Sequence, residues 1–189
     1  MPDNHDPYFS YLRQRSKLGL WYRTCYLYPR LGRYLKEGRV LDVGCGIGDF
    51  LRSRRQTIGV DVNADAVAWC RAQGLEAVLM ESDRLPFPDA DFDGATLDNV
   101  LEHIAEPKPI LSEIHRVLRK GGRLIVGVPG QKGYASDPDH KIFYDQTLLV
   151  GTVTAEDFAL IRVLHMPLRS RFLNKRLRQY ALYGIFVRN

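Results

Sequence analysis

The stretch VLDVGCGIGDF, Val40 to Phe50, sets three glycines within five positions, behind an apolar run and one acid. Glycines without a Cβ let a ligand come close to the backbone. A phosphate-binding loop of the nucleotide-hydrolase kind needs a terminal Gly-Lys-Ser/Thr, and neither Lys nor Ser/Thr follows Gly48. The dinucleotide fingerprint G-x-G-x-x-G needs its last glycine for close helix–strand packing. Counted from Gly44 and Gly46, that place holds Asp49, so the loop reads G-x-G-x-G. Asp42 stands two residues ahead of it. A carboxylate there repels a pyrophosphate and attracts a ligand carrying an ammonium and a sulfonium. The loop therefore suits S-adenosylmethionine, a cation with no phosphate. A second acid, Asp61, follows Asp42 by 19 residues. At the carboxyl end of a strand it can accept both hydroxyls of a ribose.

Five histidines are candidate bases. His5 lies in the N-terminal run, His115 falls between the apolar positions of a helix and reads as exposed, and His165 reads as structural. His103 follows Asn99 by four residues, which puts both on one helical face at the carboxyl edge of the sheet. His140, in SDPDHKIFYDQ, follows strand five at the same edge. A direct role for His103 or His140 competes with simple loop-tying hydrogen bonds. Between the last two strands lies PLRSRFLNKRLRQY, Pro167 to Tyr180, with five basic residues and no acid. Arg171, Lys175 and Arg178 are its candidate substrate contacts. A solvated basic helix, a phosphate clamp and a contact with anionic membrane lipid are all open readings of it. No RNA-binding module accompanies it.

The elements that must hold these residues alternate from Arg39 onward. RVLDVG, TIGVDV, EAVLM, DGATLDN and RLIVGVP read as strands, the first nearly all apolar as in a sheet covered on both faces. DFLRSRR, NADAVAWCRAQG and PKPILSEIHRVLRKGG read as helices between them. Asn63 is the expected N-cap of the second and Gly74 its stop. The third opens on prolines, carries Ile110, Leu111, Ile114, Val117 and Leu118 on one face, and ends on glycine. FALIRVLHM and ALYGIFVRN add two strands. The expectation is a Rossmann-like, doubly wound α/β domain over residues 39–189, with a seven-stranded, mostly parallel sheet whose last strand is antiparallel. Residues 1–38, mostly helical and rich in Tyr and Trp, read as a cap or side layer on that sheet.

At 189 residues the length suits one domain with a modest extension. No apolar run approaches the ~20 residues of a membrane span. MPDNHDPYFS has neither a basic start nor an apolar stretch, and Cys25, Cys45 and Cys70 share no short spacing. A cytoplasmic protein without disulfide framework, zinc knuckle or other metal is expected. Charge is uneven. Residues 1–39 hold 8 Lys/Arg against 3 Asp/Glu, residues 40–161 hold 12 against 19, and residues 162–189 hold 7 against none. An acidic middle argues against a general nucleic-acid surface. The basic ends fit solvated helix faces, an anionic small substrate or a peripheral membrane contact.

Five stretches in order, VLDVGCGIGDF, GVDVN, ESDRLPFPDADFD, LDNVLEHI and RVLRKGGRLIVGVPG, resemble the class I S-adenosylmethionine-dependent methyltransferases of the small-molecule type. The resemblance covers about Val40 to Gly130. It implies that Asp42, Gly44, Cys45, Gly46 and Gly48 wrap the methionine part of the cofactor. It places Asp61 on the ribose, Val62 against the adenine, Glu81 on the adenine amino group and the Ser82 backbone on the ring. Glu81 departs from the family's aspartate, and Asp83 could take its role. Asp98 and Asn99 would close strand four near the methionine moiety. The family's His with a following aromatic stretch falls on His140, Phe143 and Tyr144, which makes Tyr144 a candidate substrate contact. The motifs of amino-group DNA and protein-glutamine enzymes and of cytosine-C5 enzymes are absent. The resemblance implies methyl transfer to a small or lipid-like metabolite. A macromolecular methyltransferase and a non-catalytic cofactor-binding module are the alternatives, and the intact Asp42, glycines and Asp61 speak against the second.

Overall fold

The structure, a computed structural model, describes residues 16–189. His5 and the start of the N-terminal segment lie outside them. One sheet of seven strands organises the chain: β1 (Val40–Val43), β2 (Thr57–Asp61), β3 (Ala77–Leu79), β4 (Phe92–Asp98), β5 (Leu118–Pro129), β6 (Phe158–Met166) and β7 (Ala181–Arg188). Their order is β3-β2-β1-β4-β5-β7-β6. β1 to β5 run parallel, and β7 is antiparallel to both neighbours. Strand order reverses between β1 and β4, and a crevice opens beyond the carboxyl ends of strands at such a switch point. Among the described residues no helix is long and apolar enough to cross a membrane.

The period of two along each strand decides what faces that crevice. Leu41, Val43, Ala95, Leu97, Leu124 and Val126 point into the main core with α5 (Lys108–Val117), whose Ile110, Leu111, Ile114 and Val117 are all buried. Val40 and Ile125 point the other way, into a second core closed by Leu27, Tyr28, Leu31 and Leu35. Asp42, Thr96 and Asp98 share that second parity. The N-terminal segment thus covers the face of the sheet on which the acids stand. It runs through α1 (Lys17–Tyr22), a π-helical turn (Arg23–Leu27) and α2 (Tyr28–Gly32). Pro29 has no N–H to return to the preceding turn, and Thr24 Oγ1 bonds the Leu20 carbonyl at 2.9 Å. Both loosen the ordinary helical ladder there.

The remaining helices are α3 (Asp49–Ser53), α4 (Ala64–Ala72), α6 (Gln131–Tyr134), α7 (Gln146–Thr154) and α8 (Arg171–Arg176). Asn63 caps α4, its side chain accepting from Ala66 N at 3.0 Å, and Gly74 takes φ +72° just past the end. One boundary differs from expectation. α5 stops at Val117 rather than at the glycines, because Leu118 already pairs with Phe92 in the sheet. Gly121, at φ +71°, lies within the strand instead of ending the helix.

Candidate functional site

Beyond the carboxyl ends of β1, β4 and β5 lies a cavity of about 460 Å³. Its floor is the glycine loop. Gly44 N and Cys45 N both donate to the Val60 carbonyl, at 2.8 and 3.0 Å, which folds the loop back over β2. Gly44, Gly46 and Gly48 all have positive φ, +71°, +52° and +81°. A Cβ on Gly44 would lie 2.4 Å from Val100 Cγ2, so both conformation and space demand glycine. Gly48 does not reach the cavity wall. Its missing Cβ makes room for Leu75 and Cys70, so its role is packing of the loop against α4.

Asp42 is 4% exposed and accepts from Thr96 Oγ1 at 2.6 Å. Burial pushes its carboxyl up to about 7, with the charges of Asp98 and Asp61 adding to the rise. Asp98 closes β4 under three donors: Arg23 NH1 at 2.9 Å, Tyr183 Oη at 2.8 Å and Asn99 Nδ2 at 2.8 Å. Arg23 also donates to Tyr28 Oη at 2.8 Å. Through Arg23 the π-helical turn is fastened directly above β4, and the cavity acquires a roof. A Cβ on Gly127 would meet the Tyr183 ring at 2.3 Å and Asp98 at 2.7 Å, so that glycine keeps the network in place.

The third wall carries imidazoles. Leu101–His103 forms a single 3₁₀ turn rather than a longer helix, and Asn99 precedes it at φ +56°. Asn99 and His103 still meet in the cavity. The Glu102 carbonyl accepts from Lys141 N at 2.7 Å and Ile142 N at 3.1 Å, which carries the loop after β5 across to this turn. His140 thereby packs edge-on against His103, ring centroids 4.6 Å apart. Its Nδ1 meets the Tyr134 carbonyl at 2.8 Å, and with the carbonyl as acceptor Nδ1 carries the proton and Nε2 the lone pair. Burial, and then the neighbouring His140, hold His103 below the usual imidazole range, so it is neutral near pH 7. Between them lies Glu102, 1% exposed, with neither carboxylate oxygen in a hydrogen bond. Burial raises it to about 8.

The cavity therefore gathers Asp42, Gly44, Cys45, Gly46, Asp98, Asn99, His103 and His140 of the expected residues. Others stand elsewhere. Asp61 is 6% exposed and turned into the loop: Oδ2 accepts Gly46 N at 2.8 Å and Oδ1 accepts Asn63 N at 2.9 Å. Val62, Glu81 and Ser82 are exposed past the ends of β2 and β3, outside the cavity wall. Tyr144 is 2% exposed in the main core, without a hydrogen-bond partner for its hydroxyl, and not in the wall. Arg171 and Lys175 lie on the exposed α8 away from the cavity, because the chain turns inward only after that helix. Arg178 and Gln179 line it instead. His165 bonds Tyr180 Oη at 2.8 Å, a structural contact, whereas His115 is half-buried against Phe158 rather than exposed. Arg23, Glu102 and Tyr183 are among the cavity residues that sequence reasoning missed, whereas Arg178 belongs to the basic run read with Arg171 and Lys175 as a substrate clamp. Only Glu102 left a trace, beside His103 in LDNVLEHI.

Fold and site define a class. Residues 41–126 match the family model described as Methyltransferase domain. This part of the chain is a methyltransferase domain, which implies S-adenosylmethionine as its cofactor. The donor set agrees: buried acids with a glycine cradle suit an ammonium and a sulfonium and oppose a pyrophosphate. A methyltransferase structure from Thermotoga maritima, described as a possible histamine N-methyltransferase, superposes with a TM-score of 0.78 at 20% identity, covering 96% of this chain and 98% of that one. The chain is 33% identical over 141 residues to a demethylmenaquinone methyltransferase of Thermus thermophilus, 67% of this chain and 64% of that protein. It is 29% identical over 153 residues to a bovine protein named "Probable tRNA methyltransferase 9B", 76% of this chain and 30% of that protein. The chain spans less than two thirds of the length of the curated relatives it matches.

The high position of Asp42 has a measurable consequence. A bound cation favours the ionised carboxylate, so cofactor binding releases a proton below about pH 7. Affinity for S-adenosylmethionine is expected to rise about tenfold from pH 6 to pH 8 and then level off. Calorimetry in buffers of different ionisation enthalpy reads the proton directly. NAD is expected not to bind. A flat affinity over this range, or NAD binding, contradicts the assignment of Asp42.

Proposed function

We propose that the protein transfers the methyl group of S-adenosylmethionine to a small, partly apolar metabolite. The observation that carries this is the roof. Arg23 fastened to Asp98 lays the N-terminal segment along the cavity, whose lining includes Ser16, Gly19, Tyr22 and Arg23, and a small metabolite fits beneath it more readily than a polymer. The cavity beneath mixes aromatic side chains, Tyr22, Tyr28, Phe50 and Tyr180, with the acids and imidazoles. The cofactor supplies an electrophilic methyl carbon on a cationic sulfur. Asp42 and Asp98 hold positive charge at the floor, and the glycine loop fixes its depth. His103 and His140 line the same cavity and would activate the accepting atom. Neutral His103 can take its proton.

An anionic group on the substrate would meet Arg178 at the cavity rim rather than Arg171 or Lys175 on α8. The test is to incubate purified protein with methyl-labelled cofactor and, in parallel, an organic-soluble metabolite extract, total tRNA and total protein. Label is expected in the metabolite fraction. Label confined to tRNA or protein overturns the reading. With the labelled metabolite identified, Arg178→Ala is expected to raise the Michaelis constant roughly tenfold, as for one lost charge-assisted hydrogen bond. Arg171→Ala/Lys175→Ala is expected to leave it unchanged.

A further inference from the structure

We propose that Glu102, His103 and His140 form a binding site for a borderline divalent transition-metal ion, Zn²⁺ being the type case, in the wall of the cavity. One ligand atom from each of the three lies within 4.8 Å of the others. Among the described residues no other three His, Cys, Asp or Glu side chains converge in this way.

The spacing distinguishes a metal site from a hydrogen-bonded pair. Glu102 Oε1 and His140 Nε2 are 3.8 Å apart. That exceeds a hydrogen bond. It matches two atoms that each stand ~2.0–2.2 Å from a shared ion, which separates them by roughly 3.4–4.3 Å depending on the angle. A buried carboxylate whose two oxygens have no hydrogen-bond partner is a costly feature without such a ligand.

The outer contacts point the same way. Metal-binding imidazoles commonly pass their other ring nitrogen to a carbonyl or carboxylate, which fixes the tautomer. His140 Nδ1 meets the Tyr134 carbonyl at 2.8 Å, leaving Nε2 for the ion. His103 Nδ1 lies 3.4 Å from Asp139 Oδ2. Tyr134 stacks on the His140 ring at 5.2 Å and limits its rotation. Two nitrogens and one oxygen suit Zn²⁺, Fe²⁺ or Co²⁺ and do not suit Mg²⁺ or Ca²⁺, which take oxygen ligands. Three protein ligands leave positions open, as in catalytic rather than structural sites. Those positions face the cavity that the glycine loop also lines. An oxygen, nitrogen or sulfur of the substrate would complete the shell there, and the ion would lower its pKa. This purpose rests on the methyl-transfer reading; the binding site itself does not.

The experiment uses the full chain stripped with a chelator and titrated with Zn²⁺ by calorimetry, and separately with Co²⁺ by visible absorption. One saturable equivalent and the d–d bands of a four- or five-coordinate Co²⁺ are expected. Glu102→Gln and His140→Ala are expected to abolish both signals. Asp139→Asn, at an exposed side chain that leaves the fold intact, is expected to weaken Zn²⁺ about tenfold or more. Cofactor affinity, measured on each variant, reports separately on the methyl-transfer domain. No saturable Zn²⁺ or Co²⁺ binding by the unmodified chain overturns the proposal. So does equal binding by the unmodified chain and all three variants.

Discussion

His140→Ala is expected to lower methyl transfer by about 10²–10⁴-fold while S-adenosylmethionine binds as before. The ring is held on three sides, by the Tyr134 carbonyl and ring, the His103 ring and the turn that Glu102 ties across. It faces the cavity from the wall opposite the floor that grips the cofactor. Removing it deprives the accepting atom of activation but leaves Asp42, Gly44 and Gly46 in place. The loss should therefore appear in kcat, with cofactor affinity unmoved. Glu102→Gln should act in the same direction above about pH 8, where the carboxyl is ionised, since it keeps the shape and removes the charge. His115→Ala is the control. It sits against Phe158, remote from the cavity wall, and should change turnover little. A loss under about tenfold at both His103 and His140 would leave approach geometry as the source of the rate. Proximity alone can be large, so that outcome would be informative about the mechanism rather than about the fold.

The parts of this site that were legible from sequence are those written in local patterns. The glycine loop and Asp42 stand at fixed offsets from the end of β1, and period-two alternation sets which face Asp42 takes. Asn63 declares its cap in the residue type itself. The misread boundary at Val117 has a tertiary cause: pairing of Leu118 with Phe92 outweighs the glycines that would otherwise stop the helix. The missed residues are missed for the same reason. Arg23 reaches Asp98 across 75 positions, and Tyr183 reaches it across 85. No pattern within a helix or a strand encodes either contact. The basic run after β6 shows the limit from the other side. Its composition marks it as cationic, but only the path of the chain decides that Arg178 turns to the cavity while Arg171 and Lys175 stay on α8. Glu102 lies between these cases. It stands next to His103 in sequence, but its significance depends on burial and on His140, which arrives 38 residues later.

Asp61→Ala is expected to weaken S-adenosylmethionine binding by tenfold to a hundredfold or more. The carboxylate accepts two backbone N–H groups, from Gly46 in the loop and Asn63 at the start of α4. It therefore joins the cofactor floor to the end of β2. Charge-assisted bonds of this kind contribute roughly 1.5–3 kcal/mol each, and each 1.4 kcal/mol is a factor of ten. Burial raises the carboxyl above its usual range, with the bonds from Asn63 and Gly46 opposing that rise. Alanine leaves the buried Gly46 N–H and the part-buried Asn63 N–H without this acceptor and frees Gly46, whose positive φ the loop must hold. Melting should fall as well, by about 2–4 °C for each kcal/mol lost in a chain of this size. Asp61→Asn separates charge from shape. Its amide keeps one oxygen for one backbone N–H but turns an NH₂ donor toward the other, so two donors would face each other. It should bind the cofactor nearly as poorly as alanine does, although the volume is unchanged. Glu102→Gln is the useful contrast, because it alters turnover without loosening the loop. Calorimetry with S-adenosylhomocysteine, at a temperature well below the melting point of each variant, reads the affinity without interference from unfolding. Wild-type affinity in Asp61→Ala would mean that the loop holds its shape through the Val60 carbonyl alone, and that the acid anchors neither loop nor ribose.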